Sequence, residues 1–146
     1  MTPIAYDTPD RAEEAFYEAF ESRDLDAMMT VWADDDTIVC VHPGGERIVG
    51  REAIAEAWRQ IFQNGARLEF RLLHCHALSD EGVVVHSVLE EIRVDGRPDF
   101  RAVVAATNVF VLADGGWRLW MHHGSNTGQA AEAAHETPDE PKPTLH

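Results

Sequence analysis

Residues 106–125 read ATNVFVLADGGWRLWMHHGS. Two runs rich in β-branched, aromatic and aliphatic residues flank Asp114-Gly115-Gly116, and Asp-Gly pairs readily take the positive φ angles of a tight hairpin turn. A pair of long antiparallel strands follows. The same grammar reaches back to Leu68, with turn signals at Ser79-Asp80-Glu81-Gly82 and Asp95-Gly96, so four strands in a meander are predicted. Before Leu68 the period becomes helical. Ala12, Ala15, Phe16, Ala19 and Phe20 share one helix face, with Thr8 as N-cap and Pro9 in the first turn. A second helix starts after Asp24 with Leu25, Met28, Met29 and Trp32 on one side, and a third runs from Arg51 to Gln63 around Ile54, Ala57, Trp58, Ile61 and Phe62. A short strand, Thr37 to Val41, precedes His42-Pro43-Gly44-Gly45. Three one-sided helices need an apolar sheet face to cover. The predicted fold class is therefore α+β: a cone-shaped barrel with three N-terminal helices packed on a strongly bent antiparallel sheet.

The composition agrees with one domain. Of 146 residues, 45% are hydrophobic and 26% charged, with a formal net charge of −14. Such a surface repels nucleic acid and anionic membrane. No basic patch offsets it, for Lys142 is the single lysine and the arginines are scattered. The N-terminal sequence lacks a basic start followed by an apolar run, and a cytoplasmic location is the expectation. The domain is expected over residues 8–128, followed by an acidic, proline-containing tail over 129–146. Cys40 and Cys75 are read as buried small hydrophobes rather than as a disulfide.

The runs AFYEAFESRDLDAMMTVWADDDTIVCVHPGG (15–45), IVGREAIAEAWRQIF (48–62) and the quoted 106–125 stretch together resemble the nuclear-transport-factor-2-like superfamily, in its SnoaL-like and ketosteroid-isomerase-like branch. Trp117, Leu119, His123 and Ser125, with His74-Cys75-His76 upstream, are similar to the association domain of calcium/calmodulin-dependent protein kinase II and its bacterial relatives. Where those carry a first histidine in the last strand, this chain has Met121. The resemblance implies the fold but names no activity, since that superfamily hosts isomerases, cyclases, hydratases and non-catalytic assembly domains. It does not imply steroid isomerisation, because the isomerases' Tyr position falls on Phe16, with Tyr17 on the wrong helical face, their catalytic Asp on His42, and their second acid on Asn108.

Several residues carry candidate chemistry. His42, Asn108 and His123 are the candidate catalytic groups: a histidine takes or gives a proton near neutral pH, and an amide steadies a developing oxyanion. Strand alternation puts Trp117, Leu119, Met121, His123 and Ser125 on one face, so Met121 and Ser125, with Trp32 and Trp58 from the helices, are the expected ligand-binding residues. Each also has a plainer reading as core or as a hydrogen-bonded strand residue. His74 and His76 share a face but lack a third ligand of definite spacing, so no metal site is assigned. One of Glu90 and Glu91 must face inward, either paired with an arginine such as Arg101 or acting as an acid/base group. No flavin, nicotinamide or haem signature is present, and no cofactor is expected. The expected function is small-molecule binding, with isomerase- or cyclase-type proton transfer on a carbonyl-bearing apolar ligand, in a homodimer formed through the outer sheet face. The alternative is a non-catalytic association domain.

Overall fold

In the computed structural model the described residues are 6–128; the expected tail at 129–146 lies outside them. Three helices come early: α1 (Pro9–Ser22), α2 (Leu25–Val31) and α3 (Arg51–Asn64). Thr8 caps α1 by accepting the Arg11 N–H, and Asp24 caps α2 by accepting the Ala27 N–H, each oxygen satisfying one of the free donors at a helix start. Between α2 and α3 lies a small hairpin, β1 (Val39–Val41) and β2 (Arg47–Val49), whose second strand the sequence reading did not place. Four longer strands follow: β3 (Leu68–Asp80), β4 (Val83–Val94), β5 (Arg97–Ala113) and β6 (Gly116–Asn126).

The six strands form one curled sheet in the order β2-β1-β6-β5-β4-β3. All pairings are antiparallel except β1 with β6, which is parallel, so the sheet is mixed rather than purely antiparallel. The β5–β6 hairpin turns on Asp114 and Gly115, both at positive φ (52° and 81°), as the Asp-Gly signal requires. Helices and sheet share one core of Phe16, Met28, Trp32, Ile38, Ile54, Trp58, Phe110 and Leu119, each at most 1% exposed. Phe16 sits at its centre, its ring 5.7 Å from that of Trp58 and 6.4 Å from that of Trp32. Arg51, at the start of α3, donates to the carbonyl oxygens of Met29, Trp32 and Ala33. It thereby satisfies carbonyls at the end of α2 that have no partner within the helix.

Candidate functional site

Strand register assembles the polar part of the interior. His86 on β4 stands opposite Asn108 on β5, Asn108 opposite His122 on β6, and His122 opposite Cys40 on β1. Side chains directly opposite one another lie on the same face of a sheet, so a polar row crosses the strands beneath α1. Helix α1 lays Glu13 and Tyr17, one turn apart, over that row. All six groups, Glu13, Tyr17, His86, Glu90, Asn108 and His122, are buried.

The hydrogen bonds form a chain. The Asn108 amide nitrogen donates to Glu13 Oε2 (2.9 Å) and to the Tyr17 hydroxyl (3.2 Å), and Tyr17 donates to Glu90 Oε2 (2.6 Å). His86 Nδ1 meets Glu13 Oε1 at 3.0 Å. Because the Asn108 nitrogen is committed as donor, its oxygen must accept, and the His122 Nδ1 atom 2.6 Å away carries the hydrogen. The bare Nε2 of neutral His122 then lies 3.9 Å from Glu90 Oε2.

Burial sets the electrostatics. Desolvation pushes the Glu90 carboxyl up to about 7, opposed by the Tyr17 hydrogen bond and reinforced by the Glu13 charge. Desolvation also holds His122 down at about 3, with His42 and His123 adding to the effect. Tyr17 is raised, first by burial and then by Glu90. At neutral pH the cluster thus contains a carboxyl near its midpoint of ionisation beside an imidazole with a free lone pair.

The sequence-predicted residues divide into two groups. Asn108 is fully buried at the centre of the cluster. His42 is half-buried, its ring 4.7 Å from Trp58 and 6.4 Å from His122, and burial lowers its pKa. Trp32 and Trp58 are fully buried, and their indole N–H groups have no hydrogen-bond partner. The expected facing of His123 and Ser125 is corrected: both are exposed, and His122 is the buried histidine of the pair. The reason is a bulge. Val109 pairs with Met121 but Phe110 pairs with Leu119, leaving Trp120 as an extra residue, and one extra residue reverses the alternation beyond it. Met121 is half-buried, and the Trp120 indole donates to Thr37 Oγ1.

Tyr17 is corrected likewise, for it faces the interior and not the outside of α1. Glu90 and Glu91 separate as strand geometry demands, with Glu90 toward α1 and Glu91 on the opposite face, 3.2 Å from Arg101. Cys40 is buried and Cys75 exposed, both free, so the expected burial fails for Cys75. His74 and His76 are exposed. Glu13, Cys75 and His86 bring one potential ligand atom each within 4.8 Å of one another. Aromatic rings pack the interior between the helices and the curled sheet, and shallow surface clefts lie along the outer side of α1 and beside Gly50 to Arg59.

The SnoaL-like domain family matches residues 11–128, and the chain belongs to that family. A candidate calcium/calmodulin-dependent protein kinase type II association domain from Thiobacillus denitrificans is 38% identical, with 84% of this chain and 98% of that one covered and a TM-score of 0.75. A candidate dehydratase of the NTF2-like family from Streptomyces avermitilis is 29% identical, with 83% and 99% covered and a TM-score of 0.73. F-box protein SKIP8 of Arabidopsis thaliana is 28% identical over 112 residues. The chain spans 46% of the length of that curated relative. No helix among the described residues is long and apolar enough to cross a membrane.

Proposed function

We propose that the chain binds a small, mostly apolar molecule bearing a carbonyl or hydroxyl group and moves a proton on it. The observation that carries this reading is the Tyr17–Glu90–His122 contact set: a buried carboxyl raised to about 7 beside a neutral imidazole. A carboxyl that titrates near the working pH can both take and give a proton there. Ionised Glu90 takes the proton beside the carbonyl, being a far stronger base than an imidazole held at about 3, and Asn108 fixes His122 as its Nδ1–H tautomer, with the bare Nε2 facing the reacting group. As Glu90 takes up that proton, the Tyr17 hydroxyl it held is released to donate toward the developing oxyanion. The unpaired indole N–H groups of Trp32 and Trp58 support a ligand that carries acceptors. Entry is at half-buried His42, Phe20 and Phe70, whose side chains must part for a ligand to reach the network. The likeness to the Streptomyces candidate dehydratase agrees with proton-transfer chemistry.

Self-association and assembly form the second reading. It is favoured by the 38% identity to the Thiobacillus association-domain-like chain and by Val103 and Val109, which stay half-buried on β5 outside the core that the helices cover. A thermal-shift screen of carbonyl-bearing metabolites separates the two. Stabilisation of the unaltered chain that is lost in His42→Ala and Asn108→Ala supports ligand binding. A chain that no compound stabilises, and whose light-scattering mass is a multiple of 16.3 kDa, supports assembly alone.

A further inference from the structure

Cys75 is the part of the molecule that the proton-transfer reading leaves unused. It lies in β3 at a break in register between Leu73 and His76, beside His74 with φ of 52°. This bulge turns the thiol toward α1 and β4, where Glu13 and His86 stand. Their ligand atoms lie within 4.8 Å of one another, so closing to the separations of about 3.3–3.8 Å around one tetrahedral ion with bonds of about 2.0–2.3 Å takes side-chain movements of about 1 Å at most. The three come from three different elements, α1, β3 and β4, and the ligand types are thiolate, imidazole and carboxylate.

Two further features fit a cation here. Glu13 is 6% exposed, and its polar partners are the Asn108 amide and His86, with no arginine or lysine ion-paired to it among the described residues. A buried carboxylate without a fixed cation carries a large desolvation cost. Asp10, one turn before Glu13 on α1, places Oδ1 3.6 Å from His86 Nε2. When Nδ1 ligates, that carboxylate receives the Nε2–H, the outer arrangement that orients histidines bound to zinc. Glu13 Oε2 keeps its Asn108 bond while Oε1 ligates.

We propose that Glu13, Cys75 and His86 form a binding site for a borderline-soft divalent cation of the zinc class. Thiolate with imidazole selects such ions over magnesium or calcium. Three protein ligands, one of them exposed, leave the fourth position to water. The site is independent of any substrate, so its test does not depend on the proton-transfer reading.

The test is titration of the reduced full chain with Co2+, then competition by Zn2+. One Co2+ per chain is expected, with a near-ultraviolet thiolate-to-cobalt charge-transfer band that Zn2+ abolishes. Cys75→Ser should remove the band and weaken Zn2+ binding tenfold or more, and Glu13→Gln should weaken it while retaining the band. Cys40→Ser should leave both unchanged, because that thiol lies 3.6 Å from His42 in a different part of the core. Cys75 is exposed, so its replacement by serine preserves the fold. Absence of the band in the unaltered chain, or a band that survives Cys75→Ser, overturns the proposal.

Discussion

The Tyr17 hydroxyl donates to Glu90 Oε2 at 2.6 Å across the gap between α1 and β4, in a region where both residues are at most 6% exposed. The bond ties the first helix to the middle of the sheet. It also opposes the rise in the Glu90 pKa, since it stabilises the ionised form, yet burial outweighs it and the carboxyl titrates near 7.

That pKa sets a pH dependence. An unfolded Glu titrates near 4.5, so between about 4.5 and 7 the folded chain keeps a proton that the unfolded chain has lost. Stability from this group therefore falls as pH rises through that window, by about 3 kcal/mol in total. Glu90→Gln, which resembles the protonated form, should gain on the unaltered chain as pH rises from 4.5 to 7. Urea midpoints at pH 5 and pH 8 check this; a gap that is equal at both refutes the assignment.

His122 acts in the opposite direction. Its folded pKa of about 3 lies below the unfolded value of 6.5, so its contribution is fully present above pH 6.5 and is lost as pH falls toward 3. In 15N-detected spectra its ring should remain neutral at pH 5, with hydrogen on Nδ1. His122→Ala should cost at least about 1–3 kcal/mol by leaving Asn108 Oδ1 without a donor. His123→Ala, at an exposed position, should stay within about 0.5 kcal/mol of the unaltered chain.

Phe16 touches the rings of Tyr17, Phe20, Trp32, Trp58 and His122. Phe16→Ala should destabilise by about 3–5 kcal/mol, the range for emptying a packed aromatic site. Chemical denaturation measures it. A cost below 1 kcal/mol would mean that the helices do not share one core with the sheet.

Arg51→Met should cost about 1–3 kcal/mol, because three carbonyl groups at the end of α2 lose their donor. Arg51→Lys should recover only part of that loss, since an ammonium cannot reproduce the guanidinium fork. Thermal unfolding of the two variants ranks them.

Much of the fold was legible in the sequence because its signals are local. Thr8 before Pro9, the Ile54/Trp58/Ile61 stripe and the Asp-Gly turns each determine their own few residues. The candidate site was less legible because it depends on register. A bulge at Trp120 moves His122 inside and His123 outside, and nothing in Trp-Met-His-His marks it. Glu13 and Tyr17 border the apolar stripe of α1 and look like solvent-facing residues until the sheet supplies partners for them. Cys75 becomes a neighbour of Glu13 only through the break after Leu73. Asn108 was found from sequence because a lone amide within an apolar strand must have a buried partner.

We propose that Glu90, with His122 beside it, moves a proton on a bound carbonyl compound. Deuterium uptake from D2O at the carbon beside the carbonyl, followed by proton NMR over a panel of cyclic ketones, tests it most directly. Uptake above the buffer rate is expected for at least one ketone, with a fall of about a hundredfold or more in Glu90→Gln and a smaller fall in His122→Gln. Uptake at the buffer rate across the whole panel, or an unchanged rate in both variants, would contradict it.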